Sequence, residues 1–346
     1  MNINDFKVEF DIIFENELKM LISDSNSRLK LHPSTDYLKY LLTIGSNGKR
    51  IRPYNTALTY SIYSGKNWHD IKNTLIGIEL IHLMALIHDD IMDASDTRHG
   101  ATSVHKYIEQ DLDSKTNKET AKQISQSIAI LLGDLVFSWA YKEFSKCNQT
   151  QESWNIIHLL TEEVIIGQMI DVYDPIDKSV TMINAENKML LKTARYTFTH
   201  PLMLGAILAK GEIKDFSWIT DFGDSVGLLF QMQDDIFDFT KDVVTLKKNP
   251  LGDMKNGVHT MISIYIDENA TMEENETWAK WFGNKNINNQ EEINLFLKHT
   301  GAFNFAENFI KQKESIALDA ISKSNLKKEY LEKIINLLSI VTKRKY

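Results

Sequence analysis

A single cysteine, Cys147, excludes an internal disulfide framework and suits a reducing compartment. Only five prolines punctuate 346 residues, so little stops long stretches from running as helices. Basic charge is scarce as well. A formal net charge of −8 leaves no surplus of Lys and Arg to neutralise phosphates, which excludes nucleic acid as an expected partner. Alternating strand-like patterns are few, and no Asn-Gly or Asp-Gly pair joins two β-branched runs. The most apolar stretch, residues 74–88, carries Glu79 and His82 and is too short to span a bilayer. The opening "MNINDFKVEFDIIF" has neither a basic n-region nor an unbroken apolar run, so neither a signal peptide nor stable membrane insertion is expected. The expectation is a cytoplasmic globular protein.

What is abundant is helical periodicity. Apolar residues recur at three- and four-residue steps over 37–45, 73–90, 125–144, 154–173, 188–209 and 218–239, and 292–310 and 314–343 read the same way. Residues 109–120, 241–260 and 267–289 are polar or broken and read as loops, none with the composition of a linker between independent cores. With no repeat of solenoid period, residues 1–346 are expected to form one domain, an all-α bundle of ten or more helices. Met84, Met169, Met203 and Met232 read as core filler.

Against that background, "LIHDDIMDASDTRHG" (86–100) stands out, because it crowds Asp89, Asp90 and Asp93 onto one face at the end of an apolar helix. Two like charges about 4 Å apart repel by on the order of 4 kcal/mol at an effective dielectric near 20. Negative charge near a helix C-terminus also opposes the helix dipole. "FQMQDDIFDF" repeats the arrangement with Asp234, Asp235 and Asp238. One such cluster reads as a solvated helix face; two of identical spacing point to hard divalent cations, Mg²⁺ or Mn²⁺, bridging carboxylates to a polyphosphate. Cations gather near the same motifs: Lys49, Arg50 and Arg52 in "GSNGKRIRP", then Arg98, Lys192, Lys247 and Lys248. His82, seven positions before Asp89, lies about 20° from it on an ideal helix, whereas His88 and His105 read as structural.

In this order, "GKRIRP", "ELIHLMALIHDDIMD", "RHGATSVH", "ILLGDLVF", "GQMID", "KTARYT" and "FQMQDDIFDF" resemble the all-trans polyprenyl diphosphate synthases, over residues from about 40 to about 265. The resemblance implies an isoprenoid synthase type I-like bundle around a central apolar cavity. It also implies head-to-tail condensation of isopentenyl diphosphate with an allylic diphosphate. By the same resemblance, Asp89, Asp90, Asp93, Asp234, Asp235 and Asp238 would hold three Mg²⁺ ions on the allylic diphosphate. Arg98, Lys192, Gln231 and Lys248 would contact that diphosphate, and Thr193 with Gln231 would face the allylic cation. Lys49, Arg52 and His82 would bind isopentenyl diphosphate, and the family's homodimer is implied too.

The chain departs from the family in two places. His99 stands where a second arginine is usual, which predicts weaker and more pH-dependent use of isopentenyl diphosphate. "LKKNPLGDMKNGVHTMI" lacks the usual Gly before Lys248, so Lys247 is its alternative. Upstream of the first cluster, Ala85 and Met84 stand where the family sets product length; neither is a bulky aromatic, which predicts a geranylgeranyl product, with farnesyl or longer chains as alternatives. Two rival readings are a class I terpene cyclase, which has a mixed second motif and no need of Lys49 and Arg52, and a non-catalytic subunit, which tends to lose an acidic cluster. The basic end "TKRKY" suits a helix C-terminus.

Overall fold

Residues 2–30, 32, 34–177, 179–210, 216–240 and 250–343 are described by the computed structural model. They are almost wholly helical, and the expectation of an all-α protein with ten or more helices holds. Their contacts fall into two compact units, Met1–Gln151 and Glu152–Tyr346.

In the first unit the N-terminal helix Ile3–Leu29 buries Phe6, Phe10, Phe14 and Leu18, one stripe at four-residue steps. Phe6 meets Phe10 at 5.3 Å and Trp68 at 5.0 Å between ring centroids. Lys72–Met92 is buried on nearly every side, as an all-round apolar helix must be. Helix Lys118–Phe144 lies against it so closely that a Cβ on Gly133 would sit 2.1 Å from His88 Nε2. Among the described residues, Lys118–Phe144 is the one helix long and apolar enough to cross a bilayer by length and composition. The stretch 109–120, expected as a loop, is helical to Leu112 and again from Lys118, where Asn117 accepts the Thr120 N–H at 3.0 Å.

In the second unit, helix Ser217–Thr240 runs through a core that includes Met232, Phe239, Ile262, Trp278 and Leu297. The stretch 267–289, also expected as a loop, contains the end of helix Met261–Asn269 and all of Met272–Trp281. Its signal is a capping box: Thr271 Oγ1 accepts the Glu274 N–H, and Glu274 Oε2 accepts the Thr271 N–H at 2.7 Å. Of the methionines read as core, Met84 and Met232 are buried and Met203 is half-buried. Met169, however, is 67% exposed on helix Gln151–Tyr173, beside exposed Ile165, Ile166 and Val172.

The expected helix 188–209 carries an irregularity. Leu190–Thr199, which contains "KTARYT", is a π-helix set between Met182–Met189 and His200–Lys210. Such wide turns are rare and recur at functional sites. Two glycines let neighbouring helices approach its backbone: a Cβ on Gly167 would lie 2.5 Å from Lys192 N, and one on Gly227 2.3 Å from Ala194 Cα.

Candidate active site

Helix Lys72–Met92 ends in a left-handed Ala94, with the Ser95 N–H donating to Asp90 O at 2.9 Å. That ending leaves Asp93 exposed, Asp89 half-buried and Asp90 only 1% exposed. The positive charge their repulsion calls for is Arg98. Its Nη2 lies 2.5 Å from Asp90 Oδ1 and 2.9 Å from Asp89 Oδ2, and its Nε donates to Asp90 Oδ1 at 2.8 Å. Arg98 is delivered by a small antiparallel hairpin in which Thr97 pairs with Thr102 and Arg98 with Ala101. His99 and Gly100 form its tip, both with positive φ (53° and 84°), as a type I′ turn demands. Histidine tolerates that conformation better than most side chains, a local reason for His99 that the sequence reading missed. Burial pushes the Asp90 carboxyl up to about 6, against the pull of Arg98. Asp90 Oδ2 is buried and accepts no hydrogen bond from the described residues.

The basic set of the first unit divides in two. Arg50 is structural: left-handed (φ 54°) and buried, it donates to Asp11 Oδ1 at 2.7 Å, Glu79 Oε1 at 2.6 Å and Gly45 O at 2.7 Å. Lys49 is exposed and Arg52 half-buried. His82 is half-buried too; removal from water, then the charges of Arg52, His99, Arg50 and Arg98, hold its imidazole neutral, well below the ordinary range. Arg52, His99, Arg50 and Arg98 are therefore close enough for His82 to feel their charge. Ala85 is half-buried and Met84 buried on the same helix.

The second cluster is built differently. Thr193, in the π-helix, donates its hydroxyl to Gln231 Oε1 at 2.8 Å, which turns the amide so that Gln231 Nε2 donates to Asp235 Oδ1 at 2.8 Å. Asp235 is 3% exposed; burial, then the charge of Asp253, pushes its carboxyl up to about 8. Asp234 is half-buried. Asp238 is buried, and its Oδ2 accepts the Asp253 N–H at 3.3 Å, so it also holds the chain that returns after the helix. Lys192 Nζ sits 2.5 Å from Asp171 Oδ2, the aspartate of "GQMID", whose part in the site its sequence spacing does not show. Lys247 and Lys248 lie outside the described residues. Among the described residues no three His, Cys, Asp or Glu side chains converge closely enough to hold a metal ion by themselves.

The family model of the polyprenyl synthetases matches residues 34–299. The chain belongs to that family. Its members are prenyltransferases, and so is this chain. Membership sets aside the terpene cyclase. Along 96% of its length the chain is 27% identical to the geranylgeranyl diphosphate synthase of Sulfolobus acidocaldarius, 98% of which it covers. A short chain isoprenyl diphosphate synthase of Methanocaldococcus jannaschii is 29% identical over 264 residues, 73% of this chain and 72% of its own. The fold is similar to the crystal structure of geranylgeranyl pyrophosphate synthase from Corynebacterium glutamicum complexed with isoprenyl diphosphate and magnesium. That match has a TM-score of 0.87 and 25% identity, and covers 97% of this chain and 99% of that one.

Proposed function

We propose that this prenyltransferase condenses isopentenyl diphosphate with an allylic diphosphate and delivers geranylgeranyl diphosphate. The observation that carries the reading is the match, along nearly the full length of both chains, to a geranylgeranyl diphosphate synthase. Ala85 and Met84, neither aromatic, leave the position that sets product length without a large plug. The family model's match, residues 34–299 of this chain, begins in the first unit and ends in the second, which supports reading those residues as one catalytic domain.

The acidic residues fit Mg²⁺, with Mn²⁺ as the alternative. Asp89, Asp90, Asp93, Asp234, Asp235 and Asp238 offer only oxygen donors, and Asp90 Oδ2 is a buried acceptor with a lone pair to spare. Mg²⁺ keeps several waters and shares phosphate oxygens, so one or two carboxylates from each cluster suit it. Bound there, three ions would neutralise the charge that develops on the departing diphosphate.

The chain's own groups supply the rest. Arg98 and Lys192 donate charge-assisted hydrogen bonds to allylic diphosphate oxygens, with Lys248 as a third cation in the family pattern. Lys49, Arg52 and His99 hold the diphosphate of isopentenyl diphosphate, and His82, kept neutral, offers one N–H to it. Thr193 and Gln231 turn oxygens toward the allylic carbon as positive charge grows there. Catalysis is electrostatic stabilisation plus alignment of two substrates. Exposed Ile130 and Leu131 on one long helix and Ile165 and Met169 on another support a homodimer, and we place the enzyme in the cytoplasm.

The test is to incubate the purified chain alone with Mg²⁺, an allylic diphosphate and isopentenyl diphosphate, then separate the products by chromatography. Geranylgeranyl diphosphate is expected. A farnesyl or longer product would correct the chain length, and the absence of elongation would overturn the reading.

A further inference from the structure

We propose that Lys188 is a positioning residue for the allylic diphosphate site, balancing Asp171 and Asp174 so that the Lys192 ammonium stays available to the diphosphate. This deepens the function proposed above and rests on it.

Lys188 lies one helical turn before Lys192, on the buried side of helix Met182–Met189, and is 6% exposed. Its ammonium has three donors and meets three acceptors: Asp171 Oδ1 at 3.1 Å, Asp174 Oδ2 at 3.1 Å and His259 O at 3.0 Å. Asp171 spends its other oxygen on Lys192 Nζ at 2.5 Å. Asp174, 4% exposed, also accepts the His259 N–H at 2.5 Å. The result is a row of alternating charge, Lys192, Asp171, Lys188 and Asp174, that sums to zero.

Stability alone does not explain such a row. Desolvation offsets most of the attraction in a buried ion pair, and apolar residues of similar volume often serve as well. What an apolar side chain at 188 cannot supply is charge. Without Lys188, one unit of negative charge would be left beside Lys192, and Asp171 would have no cation but the one the substrate needs. The diphosphate would then meet a Lys192 already neutralised by Asp171. Lys188 also grips the His259 backbone, six residues after the Asp253 N–H that binds Asp238 Oδ2. One side chain thus fixes the charge at Lys192 and the segment that closes behind the second acidic cluster.

The experiment is calorimetric titration of an unreactive allylic thiolodiphosphate, with Mg²⁺, into wild type and variants, and of isopentenyl diphosphate in parallel. Lys188→Met should weaken the allylic analogue at least about tenfold and leave isopentenyl diphosphate within about twofold. Lys188→Arg should recover most of the loss. In a Lys192→Ala background, Lys188→Met should add less than about twofold, because the two act on one contact. Should Lys188→Met not fold, the double variant Lys188→Met/Asp171→Asn removes one charge of each sign, including the carboxylate that faces Lys192, and is expected to bind the analogue within about threefold of wild type. Wild-type-like binding by Lys188→Met, equal weakening toward both substrates, or multiplying effects with Lys192→Ala would overturn the proposal, as would a double variant that folds but binds no better than the single one. If wild type itself bound no allylic analogue, the functional reading would fail instead.

Discussion

Arg98 Nη2 rests 2.5 Å from Asp90 Oδ1, so the first acidic cluster is held by the cation proposed to grip the diphosphate. Asp90 is 1% exposed, and removing its partner leaves a buried carboxylate to find a proton or unfold. Arg98→Met should therefore lower stability by roughly 3 kcal/mol near pH 8. The loss should shrink toward pH 5.5, where Asp90, already raised to about 6 beside Arg98, takes up a proton. Thermal melts at both pH values check this. In the same variant, Mn²⁺ binding without diphosphate should tighten, because its competitor for Asp89 and Asp90 is gone, while KM for the allylic substrate rises.

The close approach at Gly227 makes a second prediction. A methyl group there would press on the Ala194 backbone, which has no flexible end to move aside. Gly227→Ala should cost at least about 1–3 kcal/mol and shift the π-helix that carries Lys192 and Thr193. The melting temperature should fall together with kcat. A fall in stability with unchanged kcat would show that the π-helix tolerates displacement.

His82 sets a pH dependence of stability. Its imidazole is held neutral, well below the ordinary range, by burial and by Arg52, His99, Arg50 and Arg98. In the unfolded chain it takes a proton near pH 6.5. The native state refuses that proton, so His82 contributes a stability present above about pH 6.5 and lost progressively as pH falls toward its depressed native pKa. Tm of wild type should drop between pH 7 and pH 5, and His82→Gln should flatten part of that drop. Parallel curves would show that another group drives it.

Product length offers a fourth test. Ala85 is half-buried, one turn before Asp89. Ala85→Phe should shift the product from geranylgeranyl toward farnesyl diphosphate, read by chromatography. An unchanged distribution would place the floor of the chain-length pocket elsewhere.

How much of this was legible in the sequence depended on whether the signal was local. Asp89, Asp90 and Asp93 were conspicuous because helix spacing alone brings their charges together, and Asp234 to Asp238 repeat it. Arg98 reads from the sequence as a diphosphate contact beside the first cluster; its ion pairs with Asp89 and Asp90 depend on the short hairpin that brings it back. Arg50 was grouped with Lys49 and Arg52, and only its burial against Asp11 and Glu79 separates a structural arginine from exposed Lys49 and half-buried Arg52 beside it. The π-helix left no mark, since apolar spacing over 188–209 fits an α-helix equally well; the close approach of Gly167 and Gly227 to it comes from elsewhere in the chain. Lys188 and Asp171 were invisible as a pair because the chain between Tyr173 and Met182 decides that they meet. The capping box at Thr271 was readable and was overlooked, because its acidic neighbours suggested a solvated loop. Met169 followed the apolar period of its helix, which marks a buried face whether the partner is the chain's own core or a second copy.

The most direct test of the central claim is rapid-quench release of diphosphate from an allylic substrate, followed as a function of free Mg²⁺ in wild type, Asp89→Ala and Asp235→Ala. The account predicts that release vanishes on chelation and slows at least about a hundredfold in each variant, in line with several kcal/mol of charge stabilisation. Release that persists after chelation, or at the wild-type rate in either variant, would contradict it.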